Sequence, residues 1–129
     1  MDPGELQVPA SARDVVRGYF DAWTRGDMDA ARGYLSDDLD FEGSIDRFTA
    51  AGPFVQALTG FSRALQEVRL LDEFYAEESA MLLYDCVTAT PAGTIRTAEW
   101  FCVRNGKIQR IRLVFDATEL RKLMTPRAL

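Results

Sequence analysis

Residues 80–115 read AMLLYDCVTATPAGTIRTAEWFCVRNGKIQRIRLVF, three apolar-rich runs broken at Pro91-Ala92-Gly93 and at Arg104-Asn105-Gly106. Each break is a turn signal. Proline presets the φ of a first turn position, and glycine takes the left-handed conformation that closes a hairpin. Reading both breaks as three-residue loops sets Thr90 opposite Thr94 and Val103 opposite Lys107, so that Asp85 faces Glu99 and Glu99 faces Ile111. Side chains alternate along a strand. One face then carries Met81, Leu83, Asp85 and Val87, with Ile95, Thr97, Glu99, Phe101 and Val103 beside them, and with Ile111, Leu113 and Phe115 beyond. Both registers place apolar side chains on the same side and so support each other.

Asp85 and Glu99 are the exceptions on that face. Opposed strand neighbours lie roughly 5 Å apart, and carboxylates removed from water resist joint ionisation, so one of the two is expected to stay protonated at neutral pH. A protonated acid beside an ionised one is an acid/base arrangement. The plain alternatives are an arginine that neutralises the pair, or one carboxylate turned to the rim.

The chain has 129 residues, 47% of them hydrophobic, which fits one domain with a real core. The net charge of −5 and the absence of a basic stripe argue against nucleic acid. There is no histidine. That removes imidazole acid/base catalysis, Ser-His triads and the commonest zinc sites, and no motif for a cofactor or metal occurs. Cys86 and Cys102 fall on the other sheet face and do not oppose each other, which points to free thiols in a reducing cytoplasm. No signal peptide and no spanning apolar run is seen. Arginine outnumbers lysine 13 to 2, which suggests a GC-rich bacterial source.

Ser11 is a good cap for a first helix, with Asp14 in its first turn and Val15, Val16, Tyr19, Phe20 and Trp23 at helical spacing, running to about Arg25 and stopping at Gly26. Asp27 caps a second helix to about Leu35, Leu39–Glu42 is a short strand, and Gly52-Pro53 opens a third helix ending near Gly60. Leu65–Tyr75 is a long strand ahead of the two hairpins, and a helical stub follows Phe115. The expected architecture is α+β, a cone-shaped, curved antiparallel sheet packed against three N-terminal helices. Residues 11–125 form the domain between a flexible tail at 1–10 and a short tail at 126–129. A pocket is expected between the sheet and helices 1 and 3.

The stretch VVRGYFDAWTRGDMDAARGYLSDDLDF (15–41), with its Gly26-Asp27 helix break and the Asp37-Asp38 pair before the first strand, resembles the opening of the nuclear transport factor 2-like superfamily. Within it the chain is similar to SnoaL-like polyketide cyclases and ketosteroid isomerase, and AEWFCVRNGKIQRIRLVFD (98–116) resembles the superfamily's last hairpin. The resemblance implies the fold more firmly than the activity, because the superfamily hosts isomerases, cyclases, dehydratases, epoxide hydrolases and non-enzymes. It puts Tyr19 at the isomerase's oxyanion tyrosine, Glu99 at its protonated acid, and Gly43 where its general base stands, which leaves Glu42, Asp46 and Asp85 as replacement bases. Against the epoxide hydrolases' Asp-Arg-Asp triad, Asp85 matches one acid, while Leu83 and Leu113 stand at the other two positions, which disfavours that reaction. Phe115 falls at a pocket aromatic.

The sequence therefore points to Asp85, Glu99 and Tyr19 as catalytic, with Trp23, Phe41, Phe54, Phe101 and Phe115 around a hydrophobic small molecule, although core packing explains each aromatic equally well. The expected activity is cofactor-independent proton transfer of an isomerase, cyclase or dehydratase type on a hydrophobic carbonyl compound. A non-catalytic small-molecule-binding or accessory dimeric domain is the other reading, and the missing base at Gly43 favours it. Tyr84 and Trp100 are expected to face each other on the outer sheet face beside Arg110, as the patch of a homodimer.

Overall fold

The sequence of α1 (Ala12–Thr24) repeats apolar residues every three to four positions, and the helix lays that stripe, from Val15 to Trp23, against a sheet. In the computed structural model, which describes residues 11–124, the Ser11 hydroxyl accepts from the Asp14 N–H at 3.1 Å and caps this helix. Gly26, at φ 85°, ends it. Asp27 caps α2 (Met28–Gly33) in the same way, accepting from the Ala30 N–H. The strand β1 runs over Leu35–Glu42, longer than the sequence suggests, and turns back into a two-residue β2 (Arg47–Phe48) within what reads as loop. Then come α3 (Ala51–Ser62), β3 (Leu65–Tyr75), β4 (Ser79–Thr88), β5 (Thr94–Arg104), β6 (Lys107–Phe115) and α4 (Thr118–Met124). The tails expected at 1–10 and 126–129, and the domain's end at 125, lie outside the described residues.

The fold is α+β. Six strands form one sheet in the order β2-β1-β6-β5-β4-β3. The last four make the expected antiparallel meander, and β1 adds to β6 in parallel. Register breaks in β3, between β1 and β6, and between Cys102 and Val103 bend the sheet around the helices. Leu82, Phe101, Ile108 and Ile111 are fully buried on the concave face, each stabilising the fold by about 1.5–3 kcal/mol.

Two registers differ from the sequence reading, with unequal consequences. The β5–β6 turn is a two-residue loop, Asn105-Gly106, both at positive φ (55° and 73°), as a primed hairpin turn requires. With the Cys102/Val103 bulge, Glu99 comes to face Leu113 rather than Ile111. That shift of two keeps Ile111, Leu113 and Phe115 on the expected face, while next to the turn the shift is one and sets Ile108 instead of Lys107 beside Val103. The β4–β5 connection is longer than Pro91-Ala92-Gly93. Gly93 N–H donates to the Thr90 carbonyl at 3.0 Å and Thr88 N–H to the Gly93 carbonyl at 3.0 Å, so the strands pair only from Val87 and Thr94 inward. This shift of three is odd and turns the whole of β4 over. Ala80, Leu82, Tyr84, Cys86 and Thr88 face the helices, and Met81, Leu83, Asp85 and Val87 face outward.

Candidate functional site

The concave face of the sheet, α1, α3, the 43–46 turn and α4 line a cavity of about 260 Å³. Its walls are aromatic and aliphatic. Phe41, Phe48 and Phe54 form one cluster, with Phe41 and Phe54 ring centroids 4.5 Å apart. Trp23 and Tyr84 form another, with centroids 6.1 Å apart. The Asp46 carbonyl accepts from Gly43 N–H to close the 43–46 turn. Ser44 in that turn takes the Phe115 N–H on its hydroxyl at 3.0 Å and an Arg121 N–H on its carbonyl at 2.7 Å, which fixes the turn and α4 as the cavity's rim.

Among the described residues Glu99, from the middle of β5, is the one acid deep in this cavity, 2% exposed. The Tyr84 hydroxyl, on the neighbouring strand, donates to its Oε1 at 2.8 Å. Burial pushes the Glu99 carboxyl up to about 7, partly offset by the bond from Tyr84. Tyr19, from α1, is also buried against the cavity, packed edge-on to Phe101 at 5.9 Å. Its phenol is raised well above its usual range by burial and by Glu99, as is that of Tyr84. Among the described residues the Tyr19 hydroxyl has no hydrogen-bond partner. Cys86, beside them, has its thiol pushed up to about 12, chiefly by burial, so it is a neutral wall group and not a nucleophile.

The expected Asp85/Glu99 pair does not exist. Asp85 lies on the opposite sheet face, across from Arg96, which grips it through Nε and Nη2, both at 2.9 Å. That bidentate bond holds the Asp85 carboxyl below its usual range. The neutralising arginine foreseen as an alternative is therefore real, but it serves Asp85 alone. Of the other candidate bases, Glu42 is exposed and paired with Arg47 and Arg112, while Asp46 lies on the rim. A Cβ at Gly43 would lie 3.0 Å from the Phe41 ring, a tight approach that a larger residue there could make only if the ring moved by a few tenths of an ångström.

Trp23, Phe41, Phe54 and Phe115 line the cavity as expected. Phe101 does not; it is fully buried in the core behind Tyr19. Tyr84 and Cys86 are corrected from the outer face to the cavity, and Trp100 pairs with Met81 instead of Tyr84. A signal for this was present in β4. The alternation Ala80, Leu82, Tyr84, Cys86 contains no charge, whereas the alternation through Met81 contains Asp85. Both cysteines are free. Among the described residues no group of three His, Cys, Asp or Glu could hold a metal ion, and no helix is long and apolar enough to cross a membrane.

A SnoaL-like domain family matches residues 16–111. The chain belongs to that family, and it shares its fold with a Cytophaga hutchinsonii protein named as NTF2-like, at 17% identity, 89% and 98% coverage and TM-score 0.76. Among solved structures it is similar to a Kribbella flavida protein, at 29% identity over 88% of this chain and 93% of that one with a TM-score of 0.82. It shares its fold with a Sinorhizobium meliloti protein named as a polyketide cyclase, at 18% identity, 88% and 99% coverage and TM-score 0.70. It also shares it with an epoxide hydrolase of Mycobacterium tuberculosis, at 19% identity, 86% coverage of each chain and TM-score 0.69. None of the curated proteins matches the chain.

Proposed function

We propose that the cavity is the active site of an enzyme that moves a proton on a hydrophobic carbonyl compound without a cofactor, an isomerase or cyclase-type activity. The observation that carries this reading is a single buried carboxyl, Glu99, set by burial near 7 and held by Tyr84 within an apolar cavity. A group titrating near the working pH serves both as base and as acid. Ionised Glu99 takes the proton from a carbon next to the carbonyl. The unpartnered Tyr19 hydroxyl donates to the carbonyl oxygen as it gains charge. Glu99 then returns the proton to carbon or oxygen, so the step is proton-neutral overall. Tyr84 keeps Oε1 occupied and turns Oε2 to the ligand. Neighbours of the same fold named as cyclase and as epoxide hydrolase are consistent with chemistry in this cavity. With 2-tetralone in deuterated buffer, proton NMR is expected to show exchange at its α carbons catalysed by wild type and lost in Glu99→Gln. Undiminished exchange in that variant removes the mechanism.

A second reading, a binding domain without turnover, is favoured by one observation. Among the described residues the cavity has a single deep carboxyl, and glycine at position 43 brings no base to its rim. Ligand binding without exchange in any ketone supports it.

The outer sheet face is the proposed homodimer surface. Phe74 and Val114 are 59% and 64% exposed there, with Met81 and Trp100 between them and Arg110 at the edge. Light scattering that gives a concentration-independent monomer mass overturns it. Free cysteines and bacterial neighbours favour the bacterial cytoplasm as the site of action.

A further inference from the structure

The cavity has an electrostatic asymmetry that proton transfer does not use. Glu99 is buried in its wall, and its Oε2 has no hydrogen-bond partner among the described residues. Among the described residues no cation lines the cavity to balance it. The described lining includes neither arginine nor lysine, and the chain has no histidine. From α1 it is faced by the Tyr19 phenol, from β4 by the Tyr84 phenol and the Cys86 thiol, from the 43–46 turn by Asp46, and from α3, β6 and α4 by apolar side chains. The remaining wall is largely aromatic. A buried carboxylate without a counter-charge is stabilised by any ligand that brings one, and aromatic faces attract cations.

We propose that this cavity takes hydrophobic amines in their protonated form, with the ammonium against Oε2 of Glu99 and the carbon skeleton among the rings of Trp23, Phe41 and Phe54. This goes beyond the proton-transfer reading: it needs the cavity to admit a ligand and does not need turnover. A neutral ligand of the same shape brings no counter-charge and gains only apolar contact. An anion meets a like charge with no group to neutralise either partner.

The test uses three probes of nearly equal size on the full chain: 3-phenylpropylamine, 3-phenyl-1-propanol and 3-phenylpropionate, with affinities from NMR titration of the protein. At pH 8 the amine is expected to bind at least roughly tenfold tighter than the alcohol, and the propionate weakest. In Glu99→Gln the amine is expected to fall to the alcohol's level while the alcohol is little changed. In wild type the amine's affinity is expected to drop as pH falls through about 7, where Glu99 takes its proton, with the alcohol flat. The wild-type pH series stands by itself should the variant not fold. An amine no tighter than the alcohol, a preference that survives Glu99→Gln, or a flat pH series each overturns the proposal. Amine selectivity without 2-tetralone exchange sinks only the catalytic reading, and exchange without amine selectivity sinks only this one.

Discussion

Asp85 and Glu99 sit on adjacent strands of one sheet and show what a sheet face does to a carboxyl. Asp85 faces outward. Its side chain is 10% exposed, but Arg96, 67% exposed, delivers a bidentate bond from the solvent side, and the acid is held ionised. Glu99 faces inward, receives one neutral hydroxyl and, among the described residues, no cation, and is pushed to about 7. The two acids differ mainly in whether a cation reaches them. A paired outward acid is a structural ion; an unpaired inward acid is a proton switch.

The contrast breaks most visibly in activity. Glu99→Gln is expected to lower 2-tetralone exchange by about 10²–10⁴-fold, whereas Asp85→Asn leaves the rate within about twofold. Equal losses in both variants erase the distinction between the faces.

The next effect is on stability. The folded-state carboxyl of Glu99 lies above its unfolded value of 4.5, so the folded protein holds a proton that the unfolded chain releases. Stability from this group is full below about 4.5 and is lost as pH rises to about 7, by about 3 kcal/mol at most. Glu99→Gln is expected to match wild type at acid pH and to exceed it at pH 8 in urea denaturation. Asp85 works in the opposite sense, since its lowered value adds stability at neutral pH that fades as pH falls.

A smaller effect sharpens the inward environment. Tyr84→Phe removes the hydroxyl that lowers the Glu99 value, so the midpoint of its titration, followed by the side-chain carboxyl carbon, is expected to move up by up to about one pH unit. A downward move means that the bond does not favour the ionised form. The smallest effect is Asp85→Asn in the same titration. With the acid on the far face, the Glu99 midpoint is expected to stay within about 0.2 units.

Which strand could be read from the sequence follows from the composition of its two faces. In β5 the inward set from Ile95 to Val103 is apolar apart from Thr97 and Glu99, while the outward set carries Arg96 and Arg104, so a single face was legible. In β6, Ile111 and Leu113 fixed the face even though the turn was misjudged by one residue and the Cys102/Val103 bulge added a second. In β4 both alternations carry apolar residues, Leu82 and Tyr84 against Leu83 and Val87, and the single charge of Asp85 was outweighed by the loop length taken from Pro91-Ala92-Gly93. That length depended on a turn closed by Thr90 and Gly93 hydrogen bonds, which Pro91-Ala92-Gly93 does not disclose. Tyr19, Glu99 and four of the five aromatics were therefore placed correctly from their own helices and strands. Tyr84, the direct partner of Glu99, was lost to the outer face.

A cavity whose lone deep acid sits near 7 in a chain without histidine also makes this protein its own proton counter. Apart from the amino terminus, the common neutral-pH buffer groups of proteins are missing. Calorimetric titrations repeated in buffers of different ionisation heat would thus read the proton taken up or released at Glu99 directly as each ligand binds, with no imidazole background to subtract.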